Sequence, residues 1–255
     1  MYLALFLIET AAGLQLTLPL VRRRDAGVKY YRLILIVVAS LGALAAVAHA
    51  AARRPDLAGA DASLVVAAGL LWLVLRYPKR PVYRLVWLLA GIAGLAAPAL
   101  AWHHAVLPLA PAWSAAGAWS ATALLGTVSQ AMLLGHWYLV VRGMSIDPLL
   151  RLCRALLACS IVRLAVVGGA IALLGSAGWG RDTPLWELVV RQGIFFWMRV
   201  GWGLLFPLAL WPMIWGTARI RSTMAATGIL YVAVVAVVIG EVLAIGLSSG
   251  ARLPV

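Results

Sequence analysis

Eight apolar runs of about twenty residues, separated by short polar connections, occupy most of this chain. A helix needs about twenty such residues to cross a ~30 Å hydrocarbon core. A chain built this way cannot fold as a water-soluble globule. Hydrophobic residues make up 64% and charged residues 11%, where soluble domains carry roughly 25% charged. The alternating ten-residue pattern of an outer-membrane barrel is absent. The expectation is an all-α, polytopic membrane protein, a single integral membrane domain over 1–255. Its spans fall near 2–21, 30–51, 60–76, 83–103, 113–141, 152–175, 186–216 and 222–247.

The formal net charge of +13 raises nucleic acid as a partner, but the charge distribution argues against it. The basic residues sit in short clusters between apolar runs, where they set orientation beside the headgroups of the bilayer. Arg22, Arg23, Arg24, Lys29 and Arg32 follow the first span, and Arg76, Lys79, Arg80 and Arg84 surround the third connection. Arg142, Arg151 and Arg154 surround the fifth, and Arg219 and Arg221 the seventh. In the second connection Arg53 and Arg54 are balanced by Asp56 and Asp61; the fourth has no charge, and the sixth sets Arg181 against Asp182. Positive charge alternates with each crossing. Eight helices are therefore expected in the cell inner membrane, with basic loops cytoplasmic and both termini on the outer, periplasmic side.

Other classes drop out on single features. No lysine follows Lys79, which excludes a retinal Schiff base. The two cysteines, Cys153 and Cys159, share one run and provide no framework for disulfides or an iron–sulfur cluster. The first run passes into Arg22 without a small-residue cleavage site, so it reads as a retained helix. Phosphate-loop, zinc-protease and nucleophile-elbow motifs are absent. Sliding the chain by 119 positions aligns Thr10 with Ser129, Thr17 with His136, Arg23 with Arg142 and Arg32 with Arg151. This faint repeat would make two four-helix halves, 1–110 and 111–255.

Polar side chains within hydrocarbon are costly, and each is a functional candidate. Glu9 in the first span and Glu241 in the eighth are the candidate proton acceptors. Arg163, Arg191 and Arg199 are expected to pair with carboxylates between helices, Arg191 and Arg199 on one side of the seventh helix beside a ligand. Thr122, Ser129 and His136 recur every seven residues on the fifth helix, with Trp137 and Tyr138 forming a headgroup-level belt. His136 then lies ~8 Å inside the cytoplasmic end, as a quinone contact or as a ring bonded to a neighbouring helix. His49 with His103 or His104, at the outer ends of the second and fourth helices, would be the axial pair for a haem b. The seventh helix, from Trp186 to Trp215, would be ~45 Å long. Pro207 and Pro212 should kink it, and its tryptophans would face either lipid or a flat ligand.

The opening LFLIETAAGLQLTLPLV, followed by a basic loop and seven more helices, resembles the NrfD/PsrC/DmsC family of quinol-handling membrane anchors. The resemblance covers helix number and the character of the first helix, and this chain is shorter than many members. It implies a quinone or menaquinone headgroup held by polar side chains of the first four helices, with metal centres on partner subunits. Glu9 would accept the proton, and Gln15 and Thr17 would contact the headgroup. The expected function is a membrane subunit of a respiratory or photosynthetic electron-transfer complex. A small-solute permease and a structural subunit of a larger complex are the alternatives.

Overall fold

The computed structural model describes residues 1–77, 80–106, 111–141, 143–176, 178, 180 and 183–255. Lys79, Arg142, Arg181 and Asp182, named above, lie outside the described residues. Among the described residues, eight helices are long and apolar enough to cross a membrane. They are α1 (Tyr2–Thr17), α2 (Arg23–Ala51), α3 (Pro55–Val74), α4 (Pro81–Val106), α5 (Pro111–Val140), α6 (Asp147–Gly175), α7 (Gly193–Arg219) and α8 (Thr223–Ala251). No strand occurs among the described residues. The chain is an all-α polytopic membrane protein, as its apolar runs require.

Helix boundaries follow local chemistry. Pro55 opens α3 in its first turn, where a missing N–H costs nothing. The helix therefore starts ahead of position 60 and takes in Asp56 and Asp61, which the sequence reading left in a loop. Pro148 does the same for α6, which begins at Asp147 rather than near 152. The basic residues after α1 coil into a helical turn from Arg23. Gly27, at φ 80° and ψ 169°, then redirects the chain into the body of α2.

The packing order is simple. α1 lies against α2, α4 and α5; α2 against α3; α3 against α4. In the second half α5 lies against α6 and α8, α6 against α7, and α7 against α8. Each group of four closes on itself, and α1 and α5 form the seam between them. That seam needs glycine. A Cβ on Gly13 would lie 2.2 Å from the Thr122 carbonyl oxygen, and one on Gly126 would lie 2.4 Å from the Gly13 Cα. The two backbones touch, as small-residue crossings in lipid do.

The seventh span departs from the single long helix expected. Pro184–Trp186 is one short turn, capped by Thr183, whose hydroxyl accepts from the Trp186 N–H. Glu187–Arg191 winds as a wide π turn, Gln192 leaves helical geometry, and α7 proper starts at Gly193. A second π turn, Arg199–Leu205, precedes Pro207. Proline has no N–H to donate to the carbonyl four residues earlier, and a wide turn absorbs that lost bond. Phe195, Trp197 and Trp202 are exposed on the lipid-facing surface. Trp202 stacks on Phe206 and Trp211 on Trp215.

Candidate functional site

The most polar part of the interior is a charged cluster on α6, α7 and α8. Arg163, Arg199 and Glu241 are all fully buried. Arg163 grips Glu241 with two parallel bonds, Nε donating to Oε1 at 3.1 Å and Nη2 to Oε2 at 2.7 Å. Its remaining nitrogen, Nη1, donates to the Ser120 hydroxyl at 3.2 Å and the Gly117 carbonyl at 3.3 Å, both on α5. This two-pronged geometry is the strong form of the arginine–carboxylate pair. Arg199 approaches from α7, with Nη2 3.1 Å from Glu241 Oε1. That contact is an ion pair without hydrogen-bond alignment, and the Arg199 guanidinium has no aligned acceptor.

Local sequence explains how Arg199 gets inside. It opens the π turn of α7, and it lies over two glycines that face each other. A Cβ on Gly203 would sit 2.5 Å from the Gly240 Cα, and a Cβ on either glycine would sit 3.1 Å from Arg199 Nη1. Any side chain there would push α7 from α8 and displace the guanidinium.

Glu9 joins the cluster from α1, without a cation of its own. The Trp102 indole N–H donates to its Oε1, while Oε2 has no partner. Both side chains are fully buried. Glu9 lies within electrostatic range of Glu241, Arg163 and Arg199. Two carboxylates and two guanidiniums thus lie within electrostatic range of one another in the interior. The sequence reading anticipated pairing between helices for these groups. It missed Trp102 and Ser120 as the polar partners. A signal existed for Trp102, because a buried indole must place its N–H and Glu9 was the candidate acceptor at comparable depth.

The remaining candidates are not gathered here. Gln15 is buried and donates to the Ala90 carbonyl at 2.8 Å, tying α1 to α4, with its own carbonyl oxygen unpartnered. Thr17 returns its hydroxyl to Gly13 within α1. Arg191 is not on the buried side with Arg199; it is exposed and pairs with Glu187 at 3.0 Å. The π turn and the break at Gln192 shift the register between the two arginines. His136 is exposed and shares a 3.4 Å contact with the Tyr231 hydroxyl of α8.

The histidines at the other end separate as well. His49 is buried between α2 and α3, its Nδ1 2.7 Å from Asp61 Oδ2. His103 is exposed and stacks edge-on against His104, which reaches Asp56 at 3.2 Å. Asp61 is thus a buried partner of His49 rather than a loop counter-charge to Arg53. No group of three or more histidine, cysteine or acidic side chains placed to hold a metal occurs among the described residues.

Fold and site together define an all-α membrane protein, with eight spans among the described residues and a buried Glu–Arg cluster in its second helix group. The chain matches no family model, no curated protein and no solved structure.

Proposed function

We propose that this protein is a membrane subunit of a quinone-linked electron-transfer complex, and that Glu9 is its proton-accepting group. Supporting this reading above all is the state of Glu9, a fully buried carboxyl group with one oxygen held by Trp102 and the other unpartnered. Quinol oxidation releases protons that need an acceptor within the membrane. Glu241 is committed to two arginines, whereas Glu9 retains a free oxygen. The resemblance of the first helix to quinol-handling anchors points the same way. On this reading a quinone or menaquinone binds between helices, and Gln15, with its free carbonyl oxygen, is a headgroup contact. Electrons pass to centres on partner subunits. The membrane is the cell inner membrane, with the termini on its outer side.

The permease reading draws on one observation, the π interruption of α7 at Arg199. Transporter sites use interrupted helices in corresponding positions of both halves. Here α3, the corresponding helix, runs unbroken from Pro55 to Val74. The quinone reading is favoured for that reason.

The test is purification of the native protein with its partners, followed by quinol oxidation assays. An iron–sulfur or molybdenum subunit should co-purify, and Glu9→Gln should lower quinol turnover by about a hundredfold or more, the low end of a general-base contribution, with assembly intact. Full turnover by Glu9→Gln would remove Glu9 from the mechanism. A flat visible spectrum, no partner and solute uptake in vesicles would replace the whole reading with transport.

A further inference from the structure

A second polar site lies at the opposite end of the bundle from the termini, between the α5–α6 and α7–α8 connections. Here a pocket of about 190 Å³ is lined by Tyr138, Val141, Met144, Ile146, Arg221 and Thr223, together with Gly143. Three observations bear on what it holds.

Among the described residues, Arg221 is the only cationic side chain lining it, and no acidic side chain does. The guanidinium is exposed and has no hydrogen bond or ion pair with any described residue. Its backbone is in the left-handed region, at φ 59°. Arg221 N–H bonds the Ala218 carbonyl and Ser222 N–H the Thr217 carbonyl, which closes α7 in the manner that normally employs glycine. Arginine takes this conformation at small cost, as Arg53 and Arg252 do at other helix ends. Finally, Ile220 and Met224, at 77% and 76% exposure, are the most exposed of the large apolar side chains and flank Arg221 on either side.

A bare guanidinium over a small pocket, bordered by apolar side chains that face lipid, matches an amphiphile with an anionic head and hydrocarbon tails. Arginine binds phosphate through paired N–H donors. The belt residues Trp137 and Tyr138 set this depth at the headgroup level. We infer that the pocket binds the phosphodiester headgroup of an anionic phospholipid, with Arg221 on the phosphate, Thr223 as a second donor, and the acyl chains running over Ile220 and Met224. The site is independent of the quinone reading and of the Glu–Arg cluster.

The test uses the full chain, delipidated in neutral detergent, and titrated by native mass spectrometry with three probes. These are short-chain phosphatidylglycerol, the diacylglycerol of the same chains, and inorganic phosphate. The expected result is a one-to-one adduct with phosphatidylglycerol, weakened about tenfold or more by Arg221→Ala and equally by Arg221→Gly, as loss of a charge-assisted contact predicts. The glycine variant suits the left-handed backbone, so its loss of binding cannot be attributed to a damaged helix end. Diacylglycerol binding as tightly, or either variant binding undiminished, would overturn the assignment. Inorganic phosphate binding as tightly as the lipid would show the ligand to be a soluble anion instead.

Discussion

Glu241 is the residue on which the buried cluster turns, because it is hydrogen-bonded to one buried guanidinium and ion-paired with a second, with no access to water. Removing one partner of a buried pair leaves an uncompensated charge and costs about 3–5 kcal/mol. Glu241→Gln strands two arginines, and thermal unfolding in detergent should show a loss at least that large. Replacing Arg163, Arg199 and Glu241 together with leucine or methionine should restore part of the stability, since no charge is then left alone. If the triple variant is no more stable than Glu241→Gln, the ion pairs themselves are the source of stability. Trp102→Phe keeps the ring and deletes the donor to Glu9. It should destabilise by roughly 1–3 kcal/mol and, on the proposed mechanism, change quinol turnover as well. Unchanged stability in Trp102→Phe would mean that the Trp102–Glu9 bond contributes nothing.

Which of these residues could be read beforehand is a matter of what one chain position reveals. Glu9, Arg163, Arg199 and Glu241 announced themselves because an ion inside an apolar run is expensive wherever it points. Their partners could not be read. Arg163 and Glu241 are far apart in sequence, and whether they meet depends on the rotation of α6 and α8 about their axes. Arg191 shows the same limit from the other side. Regular helical spacing puts it near the face of Arg199, and a wide turn with a break at Gln192 carries it to the surface. Asp61 was hidden by its neighbours, since Arg53, Arg54 and Asp56 made it look like one more loop charge.

Among the elements, α1 and α5 carry the architecture, and α7 carries the site. Gly13 and Gly126 allow α1 and α5 to touch. Gly13→Leu should prevent that approach, because the new side chain meets backbone, which cannot yield as a flexible side chain can. Overpacking of this kind costs about 1–3 kcal/mol or more, and the variant should aggregate or elute early in size-exclusion chromatography. A monodisperse, folded Gly13→Leu protein would contradict the seam. Gly240→Val is the matching test at α7 and α8. It should displace Arg199 as well as destabilise, and so mimic loss of the arginine in any activity the cluster supports.

For the whole molecule, an even number of crossings puts both ends of the chain on one side. The packing agrees, since Pro254 lies against Gly117 near the start of α5. Paired reporters fused to the amino and carboxyl ends should report the same face, and the basic connections should be labelled from the other. Reporters on opposite faces would remove one span and, with it, the arrangement of the cluster.

The sequence alone was enough to determine class, span number and the connections in which the basic clusters fall. Those properties follow from hydrophobicity and charge summed along the chain, and the bilayer reads them locally. Tertiary structure decided everything that depends on which faces meet. It brought Glu9 under Trp102, gave Glu241 two arginines, paired His49 with Asp61 rather than with His103, and left Arg221 without a partner among the described residues. A helix face is set by packing against neighbours distant in sequence, and in lipid no hydrophobic stripe marks the inner side. Apolar residues cover every face of these helices, so only the assembled bundle reveals which polar group looks inward and at what.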